Sequence, residues 1–169
     1  ETLFADRRDP DYRSRKVFTF HRPKLIAKLL KEPTTLRANL KKIPALDYEN
    51  LRKCQINAIV ELEKSFSANR QNALIQMATG SGKTFAACTA VYRLLKFAKA
   101  SRILFLVDRN NLGTQALKEF QNYTTPDDGR KFKDLYEVQH LQSHTIENVD
   151  LVITTIQRMY SMLKGDKEF

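Results

Sequence analysis

From residue 51 onward, short apolar runs alternate with helical stripes. Residues 73–77 (Ala-Leu-Ile-Gln-Met), 102–107 (Arg-Ile-Leu-Phe-Leu-Val) and 150–155 (Asp-Leu-Val-Ile-Thr-Thr) are nearly unbroken apolar segments, the pattern of strands covered on both faces. Between them, residues 84–98 place Phe85, Ala86, Ala87, Val91, Leu94, Leu95, Phe97 and Ala98 around much of a helix. Residues 112–120 and 156–163 continue the helical spacing. Asn50 is positioned to cap one more helix, on which Leu51, Cys54, Ile56, Ile59, Leu62 and Phe66 lie largely on one side. Strand and helix thus alternate, which predicts an α/β fold: a parallel sheet with helices on both faces.

The first third reads differently. Residues 16–20 alternate like a short strand, and Pro23 suits the first turn of a helix reaching about Lys31, with Leu25, Ile26, Leu29 and Leu30 on one face. Pro33 ends it, and residues 33–50 read as a connector with one short helix near 36–42. Residues 124–133, with Pro126 and Gly129, read as a polar loop. The expected organisation is a basic linker over residues 1–50 and a nucleotide-binding unit over 51–169.

Charge sharpens that division. The chain of 169 residues has a net charge of +10. Residues 1–53 carry 14 Lys and Arg against seven Asp and Glu, while residues 54–169 carry 15 against 12. A basic segment of this kind raises the expectation of a polyanionic partner, although Asp6, Asp9 and Asp11 interrupt the run and a solvated face explains the charge equally well. No apolar stretch approaches the roughly 18 residues needed to span a bilayer, and the charged N-terminus lacks the apolar region of a signal peptide. Two cysteines, Cys54 and Cys88, fit a reducing, cytoplasmic setting. The first residue is Glu1, so the chain is expected to be a piece of a longer one.

Glycine is scarce, five in all, yet Gly80 and Gly82 stand two apart. They lie in Met77-Ala78-Thr79-Gly80-Ser81-Gly82-Lys83-Thr84, after an expected strand and at the head of an expected helix. That is the context of a phosphate-binding loop. Glycines let successive backbone N–H groups curl around a phosphate, and the helix N-terminus adds favourable partial charge. Lys83 would reach the β- and γ-phosphates of ATP, and the Thr84 hydroxyl would ligate Mg²⁺. Thr79, Gly80, Ser81, Gly82, Lys83 and Thr84 are therefore the expected nucleotide site, with Lys83 the catalytic cation. Met77 stands where the general pattern has glycine.

Three further segments resemble superfamily-two helicases and translocases. Leu51-Arg52-Lys53-Cys54-Gln55, 28 residues before Lys83 when counted from Gln55, is similar to their adenine-reading glutamine segment, although relatives usually read Arg-Pro-Tyr-Gln there. Phe105-Leu106-Val107-Asp108-Arg109 resembles motif Ia, and Val152-Ile153-Thr154-Thr155-Ile156-Gln157 resembles motif Ib. Within that superfamily the M-A-T-G-S-G-K-T loop, the I-L-F-L-V-D-R run and Val17-Phe18-Thr19-Phe20-His21-Arg22-Pro23 resemble the motor subunit of type I restriction–modification enzymes. The resemblance implies part of a RecA-like lobe, with ATP and Mg²⁺ as cofactors. It also implies Gln55 at the nucleotide, with Arg109, Thr154, Thr155 and Gln157 on the backbone of duplex DNA. Modification and specificity subunits would be the partners, in the cytoplasm and with no membrane.

Other readings stay open. Asp108 ends an apolar strand and fits a Walker B aspartate in a compact phosphate-loop NTPase. A type III restriction subunit, a repair helicase or a non-catalytic nucleic-acid-binding module would carry much of the same pattern. His140 and His144 are four apart but lack a third metal ligand nearby. No Asp-Glu dipeptide occurs in the chain, and no lysine has an acidic residue two positions before it. The pair that organises Mg²⁺ and the attacking water, and the nuclease metal site, are thus not in these residues. The expectation is nucleotide binding without turnover.

Overall fold

The computed structural model describes residues 1–165 apart from Asp11, Tyr48 and Gln71. The tail of the expected 51–169 unit, residues 166–169, lies outside the described residues. In chain order the elements are β1 (Thr2–Phe4), β2 (Arg15–Val17), α1 (Pro23–Lys31), α2 (Leu36–Leu40), α3 (Lys53–Ser67), α4 (Lys83–Lys96), β3 (Ile103–Val107), α5 (Asn110–Asn122), a 3₁₀ turn (Phe132–Asp134), β4 (Val138–His140), β5 (Leu151–Thr155) and α6 (Ile156–Lys164).

The fold is α/β, with a parallel sheet in the order β3-β5-β4 flanked by helices, a partial RecA-like lobe. The register pairs Ile103 with Leu151 and Val107 with Thr155, so β3 and β5 end together. All five residues of β5 are buried, whereas β3 alternates. One face of the sheet packs on α4 and α5: Cys88, Val91, Tyr92, Leu95, Ala116, Phe120, Phe132, Leu151 and Ile153 form its core. Phe120 sits at the centre, with ring centroids 5.4 Å from Phe105 and 5.3 Å from Phe132. On the opposite face of β3, Leu104 and Leu106 remain about half exposed.

Residues 73–77 do not form the expected buried strand. They are irregular, and Leu74 is 95 % exposed. A strand needs a ladder to satisfy its backbone, and among the described residues nothing pairs with this one. The helix expected from Leu51 starts at Lys53 with Arg52 as cap, and Asn50 adopts a left-handed turn at φ 64°. The strand expected at 16–20 is β2, shifted to Arg15–Val17 and paired antiparallel with β1. β4, three residues long, is too short to show periodicity and was absent from the sequence reading.

The leading segment is fastened to the lobe. Asn39 Nδ2 of α2 donates to the Ala98 carbonyl at 3.2 Å, and Leu46 packs with Ile59 of α3 and Ala86 of α4. The buried Arg93 donates to Glu63 at 2.6 Å and to the Pro44 carbonyl at 2.5 Å. Among the described residues, no helix is long and apolar enough to cross a membrane.

A second fastening joins α4 to the loop after α5. The Tyr92 hydroxyl donates to Asp127 at 2.7 Å, and the Lys96 ammonium contacts both groups. Burial pushes the Tyr92 phenol up to about 12. Partial burial works against the Asp127 charge, but the hydrogen bonds from Lys96 and Tyr92 prevail and hold its carboxyl below the usual range. Hydrogen bonding to Asp127, then to Tyr92, raises the Lys96 ammonium. The Asp127 contribution is complete above the unfolded carboxylate's pKa and is lost as pH falls through the lower folded value. The Lys96 contribution is complete below the unfolded ammonium's pKa and is lost as pH rises through the higher folded value. Asp127→Asn is therefore expected to flatten the fall in Tm on acidification below about pH 4, read by thermal denaturation at stepped pH. An unchanged acid limb would show that this link contributes nothing.

Candidate nucleotide-binding site

The loop 77–82 enters α4 through two left-handed residues, Gly80 at φ 76° and Gly82 at φ 79°. Helix α3 holds it from one side. Arg52 Nη1 donates to the Gly80 carbonyl at 2.9 Å. The buried Gln55 donates from Nε2 to the carbonyls of Ser81 and Gly82, each at 3.2 Å. Gln55 itself is set by its Oε1, which accepts from the Arg52 backbone N–H at 2.8 Å, as in a capping box.

This arrangement fixes which way the loop's amides face. In a trans peptide the N–H and C=O point in opposite directions. Fastening the carbonyls of residues 81 and 82 to α3 turns the N–H groups of Gly82 and Lys83 the other way, while the Ser81 N–H stays within the loop. Two successive donors at a helix N-terminus form the start of an anion-binding concavity. A Cβ at position 82 would lie 2.3 Å from Gln55 Nε2, whereas one at position 80 would meet nothing within 4 Å. The cradle thus closes tightly at one glycine and stays open at the other.

The remaining loop polar groups turn inward on the loop itself. Ser81 donates from its backbone N–H at 3.3 Å and its hydroxyl at 2.7 Å to the Ala78 carbonyl. Lys83 Nζ lies 3.3 Å from the Met77 carbonyl and 3.2 Å from the Ala78 carbonyl. Lys83 and Thr79 are exposed and Thr84 is half-buried in the first turn of α4. Two carbonyl contacts place the ammonium over the loop, where a polyphosphate would displace them with stronger, charge-assisted bonds. The residues present therefore fit a nucleotide phosphate chain, with Thr84 the only hydroxyl on the first turn of α4 for an accompanying Mg²⁺.

The other expected site residues gather elsewhere. Because β3 and β5 end in register, Arg109 and Gln157 emerge at the same end of the sheet, and both are exposed. Arg109 contacts the neighbouring Asp108 at 3.5 Å. Thr155 is buried as the cap of α6, accepting from the Arg158 N–H at 3.2 Å. Thr154 is 1 % exposed and its hydroxyl has no hydrogen-bond partner among the described residues. Among the described residues no hydrogen bond joins this end of the sheet to the phosphate loop. The cleft of about 640 Å³ between residues 44–51, α4 and residues 122–127 also stands apart, since none of its lining residues belongs to 77–84. Arg52 was not singled out from the sequence as a loop contact; its signal was a basic residue three positions before Gln55, at the helix start.

A loop with two left-handed glycines leading into α4, beside a parallel sheet, points to the class, a helicase-like motor-type domain. Comparison with known proteins makes it specific: residues 48–169 match the family described as type III restriction enzyme, res subunit, and the chain belongs to that family. It is similar to the type I restriction enzyme EcoKI endonuclease subunit of Escherichia coli (strain K12), with 32 % identity over 158 residues, 92 % of this chain. It is also similar to the type I SsaAORF53P endonuclease subunit of Staphylococcus saprophyticus, with 28 % identity over 150 residues, 89 % of this chain. A third relative is the type I EcoAI endonuclease subunit of Escherichia coli, with 36 % identity over 91 residues, 52 % of this chain. The chain spans 13 %, 15 % and 11 % of these relatives' own lengths. The resemblance to type I restriction subunits read from the loop and strand motifs is thus present along most of the chain.

Proposed function

We propose that this chain is the ATP-binding portion of a DNA translocase motor within a type I restriction endonuclease subunit. The observation that carries the reading is the fastening of three successive loop carbonyls to Arg52 and Gln55, which presents the opposing amides to a phosphate chain. In this reading Gly82 and Lys83 bind the phosphates through backbone N–H groups, Ser81 joins them on giving up its bond to the Ala78 carbonyl, and Lys83 adds its ammonium. Thr79 and Gly80 shape the turn, Gln55 fixes the loop and is the residue that would read adenine by resemblance to the family's glutamine segment, and Thr84 would hold Mg²⁺. The metal, when bound, neutralises phosphate charge. Arg109, Thr154, Thr155 and Gln157 are proposed for the DNA backbone. The exposed pair does so directly, and the buried threonines set the strand end that carries it. Duplex DNA, modification and specificity subunits, and a cytoplasmic location follow for the whole protein, as does ATP-dependent translocation ending in cleavage.

Calorimetric titration of the chain with Mg–ATP tests the reading, alongside a turnover assay with and without duplex DNA. Saturable ATP binding with negligible turnover is expected, because the Asp-Glu pair that organises metal and water is not in these 169 residues. Absence of binding would overturn the nucleotide site. Robust DNA-stimulated turnover would overturn its incompleteness.

A further inference from the structure

Two acids of the leading segment are engaged internally by arginine: Asp6 takes the Arg8 guanidinium at 2.7 Å, and the buried Asp9 lies 3.9 Å from Arg15 and 3.8 Å from Arg37. Arg8 also donates to the Leu29 and Glu32 carbonyls at 3.1 Å, closing the C-terminal end of α1. Arg37 reaches Asn69 after α3 and joins the segment to the lobe. These arginines are structural fasteners.

The lysines of α1 are not. Lys24, Lys28 and Lys31 are exposed, and no ion pair or hydrogen bond engages their ammonium groups among the described residues. At 100° per residue they fall within about 60° of one another on the helix, while Leu25, Ile26, Leu29 and Leu30 occupy the opposite side. The helix itself contains no acidic residue. Three unpaired ammonium groups spread over about 10 Å of one helix face form a line of positive charge. Arg8 bonds the C-terminal end of that helix through the Leu29 and Glu32 carbonyls.

We propose that Lys24, Lys28 and Lys31 of α1 form a contact stripe for the phosphate backbone of duplex DNA, separate from the residues at the ends of β3 and β5. This rests on the DNA-motor reading for its choice of polyanion. The stripe reads no sequence, since flexible ammonium groups meet phosphates as point charges. It is suited to a protein that moves along its substrate.

The test is fluorescence anisotropy of the full chain with a labelled 30-base-pair duplex, measured across a salt series. Each phosphate neutralised contributes about 0.9 to the slope of log K against log salt. The Lys24→Gln, Lys28→Gln, Lys31→Gln triple variant is expected to lower that slope by about 2.7, and Lys28→Gln alone by about 0.9. A control with the same charge loss on the lobe (Lys99→Gln, Lys118→Gln, Lys133→Gln) is expected to leave it nearly unchanged. ATP titration and circular dichroism verify that each variant is folded, and the single variant carries the test if the triple one is not. Equal slopes in wild type and the Lys28 variant would overturn the proposal, as would an equal loss in the lobe control. Stripe-dependent binding to phosphatidylserine vesicles in preference to the duplex would reassign the face to a membrane and overturn it too. If ATP binds and the slope does not move, the stripe alone falls. If the slope moves and ATP does not bind, the nucleotide site falls instead.

Discussion

Lys83→Ala is expected to weaken ATP binding severely while leaving the fold intact. The ammonium is exposed and contacts two carbonyls of its own loop, at 3.2 and 3.3 Å, so its removal leaves no buried group unpaired. In the bound state the same group would meet the β- and γ-phosphates, and charge-assisted bonds of that kind contribute about 2–4 kcal/mol together. The affinity should fall roughly 30- to 1,000-fold, with an unchanged melting temperature. Calorimetry of the wild type and variant under identical Mg²⁺ makes the comparison. Binding retained within about threefold would mean that Lys83 does not face the phosphates.

Phe120→Ala is the opposite kind of change. Phe120 is fully buried beneath the sheet, between Phe105 and Phe132. Truncating such a ring removes its transfer free energy and leaves a cavity, a loss of about 3–5 kcal/mol. Domains have only about 5–15 kcal/mol in total, and this sheet is packed on one face at β3. Urea denaturation should show most of the stability gone, with ATP binding weakened through unfolding. Phe18→Ala, at a fully exposed ring, should change stability by less than about 0.5 kcal/mol. Similar effects at the two positions would contradict the assigned core.

The order of strands and helices was legible because β3, α4, β5 and α6 each carry unmistakable spacing, and the structure places their ends within a residue or two of the expected ones. The phosphate loop was legible because glycine is rare in this chain except there. Residues 73–77 went the other way: their apolar run is that of a buried strand, but a run specifies burial and not a partner, and no ladder forms. The clamp on the loop shows the same limit at the site. Gln55 was marked by its distance before Lys83, but nothing in the sequence says that its amide grips two carbonyls, or that Arg52 grips a third. Those contacts follow from the placement of α3, a tertiary fact. Likewise the basic count of the first third does not distinguish Arg8 and Arg37, which fasten, from the three lysines of α1, which have no partner among the described residues.

The two glycines of the loop, alike in their left-handed backbone, differ in what a genetic screen would recover. At position 80 only the torsion is demanding, and asparagine, which tolerates it, has open space around it. At position 82 the torsion and the Gln55 amide impose independent conditions. A shortened residue at 55 would relieve the crowding but would release the carbonyls and leave the torsion unsatisfied. Second-site suppressors should therefore be obtainable for lesions at the first glycine and not at the second.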